Sequence, residues 1–300
     1  MRTILFQACL LALLGSPLTA ADNFPDVHAA VTVKPATAVA HAPAYERREV
    51  EGWNVHVRRE LIESEAILTT RALELLRKQL EEIVRVVPAP ALKELRLVPL
   101  YFSPEYPGHK PTAEFHPDVA WLQTNGRDPA MAKAIEFSNI RQFEAELDRM
   151  PCFTLHELAH AYHNRVLPEG FANPELKAAY ERAKASGKYD RVERRFGNGR
   201  PNNFERAYAM NDAMEYFAES SEAFFGRNDF FPFTRDELKT HDPKMFALLL
   251  RLWGVVAKAD APRPGERWTT RGLPGVPGGL QTSAARLLNP PPTPLGKKPS

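Results

Sequence analysis

The amino-acid sequence predicts an α+β fold, with strands and helices mixed in its first half and helices dominating its second. Three observations carry that reading. Val50 to Glu60 alternates in strand fashion around Trp53, Val55 and Val57. Ser64 to Val86 instead has helical spacing at Ile67, Leu68, Leu75, Leu76, Leu80 and Ile83, and Val87-Pro88-Ala89-Pro90 ends it. Further on, Pro151 to Val166 and Met214 to Phe225 are two mainly apolar runs of helical length.

Between and after these runs the elements are shorter. Leu95 to Phe102 reads as a buried strand, followed by a Pro-Gly loop from Ser103 to Pro111. Phe115 to Leu122 reads as a short strand at a sheet edge, because Pro117 removes a ladder donor. A helix is predicted near Ile140 to Met150, and an apolar helix from Pro243 to Val255 closes the fold.

Both ends of the chain read as non-globular. Met1-Arg2-Thr3, an apolar run from Ile4 to Leu14 and small residues up to Ala21 match a secretory signal at 1–21, predicting a secreted or periplasmic protein. Residues 22–44 read as a linker, 45–258 as one domain, and 259–300 as a Pro-rich disordered tail. No segment predicts stable membrane insertion, and a net charge of +2 gives no pull towards nucleic acid. The mixed run Arg191-Val192-Glu193-Arg194-Arg195 reads first as a solvated face, with a place bordering the cleft, where it would favour acidic substrates, as the weaker alternative. Cys9 lies in the signal, so Cys152 is the one thiol of the mature chain and reads as a small buried apolar residue.

The chemistry concentrates in His156-Glu157-Leu158-Ala159-His160. Residues four apart on a helix share a face, so His156 and His160 can reach one zinc ion while Glu157 serves as the base that activates water. The competing reading is an exposed helix with two solvated histidines. Phe153, Leu155, Leu158, Ala159, Ala161 and Tyr162 oppose it, because a helix apolar nearly all round is buried, and buried His and Glu need partners that a metal supplies together.

Catalytic zinc takes three protein ligands and leaves a position for water. A third histidine six residues after His160, the metzincin pattern, is absent, since that position is Val166. A glutamate from a second helix is the other common solution. Glu215 and Glu219 lie at i and i+4 amid aromatic and small residues, so they share a face. Glu215 is assigned to the metal, and Glu219 to the outer ring nitrogen of a ligand histidine, His156 first. Glu222, three residues further, reads as an ordinary solvated carboxylate outside the site. His163 reads as a packing or supporting residue.

These residues resemble the zinc metalloproteases of the anthrax lethal factor type, a gluzincin branch. That family carries H-E-x-x-H followed by a helix close to E-F-F-A-E-A-F, with a tyrosine seven residues before the ligand glutamate. This chain has Glu215-Tyr216-Phe217-Ala218-Glu219, with Tyr208 seven residues before Glu215. The stretch from Phe204 to Phe231, with H-E-L-A-H-A-Y-H before it, is also similar to a group of secreted bacterial proteins. The resemblance covers about Met150 to Gly226. It implies a zincin-like domain, with a small twisted sheet over the active-site helix, and a Tyr208 hydroxyl that donates to an oxyanion. Without it, Tyr208 reads as an ordinary half-buried aromatic.

The expectation is a secreted zinc endopeptidase acting on peptides or proteins, with Zn2+ on His156, His160 and Glu215 and with Glu157 as general base. The Phe115 to Leu122 edge is the expected seat for the substrate backbone. The alternatives are an inactive secreted binding module of the same fold and a zinc amidase acting on cell-wall peptides.

Overall fold

A computed structural model describes residues 44–197 and 199–255. The predicted signal segment, the tail, and the linker apart from Ala44 lie outside the described residues, as do 256–258. No helix among the described residues is long and apolar enough to cross a membrane.

The α+β class holds. The first strand pair is a hairpin, β1 (Tyr45–Val50) and β2 (Trp53–Arg58), paired antiparallel from Tyr45↔Arg58 to Val50↔Trp53. Its turn residues Glu51 and Gly52 both have positive φ, 53° and 88°, as a tight two-residue hairpin connection requires. The predicted strand from Val50 therefore runs across a turn. Trp53, Val55 and Val57 of β2 are fully buried, and the Trp53 indole N–H donates to the Leu95 carbonyl at 2.9 Å.

Helices α1 (Arg59–Ser64), α2 (Ala66–Val86) and α3 (Ala89–Leu95) follow. Helix α2 buries Leu75, Leu76, Leu80 and Ile83. The predicted strand from Leu95 shrinks to β3 (Leu100–Phe102), because Ala91, Leu92 and Leu95 form the buried face of α3. Pro90 sits in the first turn of that helix, where its missing N–H costs no hydrogen bond.

Next comes β4 (Ala113–Phe115), then α4 (Val119–Thr124). The predicted strand thus ends at Phe115. Asp118 redirects the chain, its carboxylate capping α4 by accepting from the Trp121 N–H at 2.9 Å. β5 (Ile135–Phe137) completes a five-stranded sheet of order β1-β2-β3-β5-β4. β2, β3 and β5 run parallel, while β4 lies antiparallel to β5 at the edge.

The remainder is mainly helical: α5 (Phe143–Arg149), α6 (Phe153–Arg165), α7 (Pro174–Ala185), α8 (Ala213–Phe225), α9 (Arg235–His241) and α10 (Pro243–Leu252). Between α7 and α8 a small antiparallel pair forms, β6 (Val192–Arg194) and β7 (Asn203–Glu205). Helix α6 packs against β4 on one side and α8 on another. Trp253 closes the far end of the core, stacked on Phe217 and Tyr162 at centroid distances of 5.6 and 4.2 Å.

Candidate metal centre

Helix α6 is held rigidly enough to aim its polar side chains. Leu155, Leu158, Ala159 and Ala161 are fully buried, and the Gln79 side chain of α2 accepts the Thr154 N–H at 3.1 Å. Cys152 ends the preceding turn, fully buried, and its Sγ accepts the Arg227 N–H at 3.2 Å. Burial pushes its thiol well above the ordinary range, so the inert, apolar reading of this residue fits.

Helix α8 brings the third donor. Asp212 caps it, accepting the N–H groups of Met214 and Glu215 at 2.7 and 2.9 Å. That cap fixes Glu215 in the first turn, facing α6. His156 Nε2 lies 3.1 Å from Glu215 Oε2, His160 Nε2 lies 3.5 Å from the same oxygen, and the two Nε2 atoms are 3.0 Å apart. Three donor atoms thus converge on one point from residues 59 positions apart in sequence, and they form a group that could hold a metal ion. Burial alone would raise the Glu215 carboxyl, but hydrogen bonds and charge from His156 and His160 outweigh it and hold the carboxyl well below the usual range.

Glu157 lines the same cleft as the two histidines, and its Oε2 accepts the Phe115 N–H of the edge strand at 2.9 Å. Burial raises its pKa, against the opposing pull of His156 and His160. Tyr208 stands on a single 3₁₀ turn just before α8 and is 47% exposed. It lines the same cleft of about 740 Å³ as His156, Glu157, His160 and Glu215. Its phenol is raised by burial and by Glu215 and stays a hydrogen-bond donor at neutral pH.

The outer ring nitrogen of His156 departs from expectation. His156 Nδ1 is 2.7 Å from Glu222 Oε1 and 3.9 Å from Glu219 Oε1. The first distance is a strong hydrogen bond and the second is none. Glu222, fully buried rather than solvated, therefore orients the ring, and the assignment of that bond to Glu219 is corrected. Glu219 still lines the cleft. It is 2% exposed, and burial, with Asp229 and Glu222 nearby, raises its carboxyl well above the ordinary range. The signal for Glu222 in the sequence is its place seven residues after Glu215, nearly in line with it on a helix.

His163 touches no ligand. Its ring is fully buried between Phe171 and Phe217, at centroid distances of 5.1 and 5.3 Å, a packing role. The mixed-charge run takes the weaker of its two expected places, at the border of the cleft. It forms β6, and Arg194, on the cleft wall, lies 2.8 Å from Glu205 and 3.4 Å from Asp229.

A second group, Glu114, His116 and Glu136, has the donors for a metal as well. Arg127 occupies its centre, 2.6 Å from Glu136 and 3.2 Å from Glu114. His116 lies 2.9 Å from Glu136, and the Tyr106 hydroxyl donates to it at 2.6 Å. A guanidinium already engages both acids, so the cluster is a largely buried ionic network tying β4 and β5 to the loops.

Comparison of the chain with protein-family models, with curated proteins and with solved structures returns no match.

Proposed function

We propose that this protein is a zinc-dependent peptidase with a zincin-like catalytic domain of the gluzincin kind, carried on a secreted chain. One observation supports the reading above the others. The donor atoms of His156, His160 and Glu215 are separated by 3.0, 3.1 and 3.5 Å. A tetrahedral zinc site with bonds of about 2.0 to 2.1 Å has ligand atoms roughly 3.3 Å apart. Two imidazoles and one carboxylate are also a donor set that zinc accepts with a position left open.

Zinc, when bound, supplies the Lewis acidity that polarises a carbonyl and acidifies water. The chain's own residues supply the rest. Glu157 takes a proton at its carboxylate and returns it to the leaving amine. Tyr208 donates its phenolic hydrogen to the oxygen on which negative charge develops. Glu222 holds the His156 ring so that Nε2 faces the site.

The edge strand β4 suits a peptide backbone. The Ser138 N–H donates to the Thr112 carbonyl and the His116 N–H to the Ala134 carbonyl, so the alternate residues Ala113 and Phe115 direct their main-chain groups away from β5, the Phe115 N–H already engaged by Glu157 and its carbonyl and the Ala113 groups left for a substrate. An extended substrate laid along that edge is gripped through its main chain, whatever its side chains.

The test is metal analysis of the purified chain followed by digestion of a peptide library. Glu157→Gln should keep one equivalent of zinc while turnover falls by about 10²- to 10⁴-fold. A zinc-loaded Glu157→Gln protein that cuts as fast as the parent sinks the mechanism. Zinc bound with no peptide cut favours a binding module, and peptidoglycan fragments in the same panel report the amidase alternative.

A further inference from the structure

Beside the cleft, and sharing Arg149, Arg200 and Asp229 with it, lies a second pocket of about 310 Å³. Four arginines, 149, 195, 200 and 227, and two aspartates, 148 and 229, are among its walls. Arg149 is 2.5 Å from Glu146 and 3.4 Å from Asp229, and Asp229 is further engaged by Arg194 at 3.4 Å. Among the described residues, Arg195, Arg200 and Arg227 have no carboxylate within ion-pair distance.

Two of these guanidiniums are braced. Arg195 lies over the Phe233 ring at 3.6 Å and Arg200 over Phe196 at 4.4 Å. A guanidinium resting on an aromatic face keeps its N–H edge for a carboxylate, at reduced entropic cost.

The segment that carries them is pinned as well. The Arg195 N–H donates to the Asp229 carbonyl at 2.8 Å, and the Phe231 N–H to the Glu193 carbonyl at 2.9 Å. Gly197, at φ +62°, approaches so closely that an added Cβ would stand 2.1 Å from the Asp148 carbonyl oxygen. Only glycine allows that approach, and it presses this loop against the end of α5.

Resting on the peptidase reading, we infer that this pocket takes a carboxylate of the substrate peptide, which makes the enzyme selective for acidic peptides at one fixed distance from the scissile bond. A Glu or Asp side chain and a free C-terminus share that chemistry, and the experiment separates them. The probes are acetylated, amidated Ala/Ser hexapeptides in which one Glu is scanned along the chain, the matching Gln set, and one all-neutral peptide with its C-terminus free. Binding to the zinc-loaded Glu157→Gln protein is followed by calorimetry, so that no turnover is needed.

A side-chain subsite gives a Glu peptide at one register binding about tenfold or more tighter than its Gln twin, the effect of one charge-assisted hydrogen bond. A C-terminal subsite gives the same preference for the free acid over the amide. In either case Arg195→Gln/Arg227→Gln should abolish the preference, with Arg200→Gln as a second variant should the double one fail to fold, and neutral-peptide binding should stay unchanged. Equal binding of acid and amide probes overturns the inference, as do binding of none of them and a preference that survives every variant. Acid preference without cleavage by the parent protein overturns the peptidase reading and leaves the pocket standing.

Discussion

Glu222 offers the sharpest test of how this centre is built. Its Oε1 lies 2.7 Å from His156 Nδ1, whereas Glu219, the residue at the i+4 position from Glu215, stops at 3.9 Å. A carboxylate on the outer nitrogen fixes the tautomer that leaves Nε2 free for metal, and losing such a partner weakens metal affinity by about 10- to 100-fold, or about 1.4 to 2.7 kcal/mol. Glu222→Gln keeps an oxygen to accept from Nδ1 but loses the charge, so it falls at the low end. Glu222→Ala loses both and falls at the high end. Glu219→Gln removes no hydrogen bond to a ligand and should stay within about threefold of the parent. Competition against a chromogenic chelator at fixed pH reads all three, with circular dichroism confirming the fold. Should Glu219→Gln weaken zinc binding more than Glu222→Gln, the geometric argument fails.

Three further outcomes are expected. Tyr208→Phe should keep its zinc and its KM while kcat falls by about 10²- to 10³-fold; steady-state kinetics showing a KM effect alone would make Tyr208 a substrate contact. Glu215→Ala should release the metal, and unchanged zinc stoichiometry by atomic absorption would point to another third ligand. Burial pulls His163 down to about 4 from its ordinary 6.5, so the unfolded chain takes up its proton first. The stability it lends is complete above about pH 6.5 and is lost towards pH 4, about 2 kcal/mol of it by pH 5. His163→Leu should remove that part of the pH slope in urea midpoints taken at equal zinc, and parallel slopes for parent and variant would refute it.

What could be read in the sequence follows from how long each physical signal persists. Helices α2, α6 and α8 span 21, 13 and 13 residues, long enough for a 3.6-residue period to repeat. The expected positions of His156, Glu157, His160 and Glu215 rest on that repeat. β3, β4 and β5 have three residues each, less than two periods of strand alternation, and no pattern of that length separates a strand from a turn of helix. Hence Leu95 to Phe102 divided between α3 and β3, and the run from Phe115 ended where Asp118 caps α4. The arginine pocket was less legible still, because its walls come from the loop after β6, the α5–α6 junction and the segment after α8, which only the folded chain brings together.

The choice between Glu219 and Glu222 has the same origin. Four residues along a helix advance about 6 Å and turn about 40° off the starting line, whereas seven advance about 10 Å and turn only about 20° off it. A carboxylate four residues on suits a partner side by side with the first, which is why Glu219 is the natural reading of a motif taken alone. The His156 ring, however, is gripped at both ends, Nε2 near Glu215 and Nδ1 by Glu222. A ring spanning two carboxylates of one helix lies along that helix and needs the longer step. The orientation of one imidazole across the α6–α8 interface therefore decides which acid supports the metal, and that orientation is a property of packing rather than of spacing.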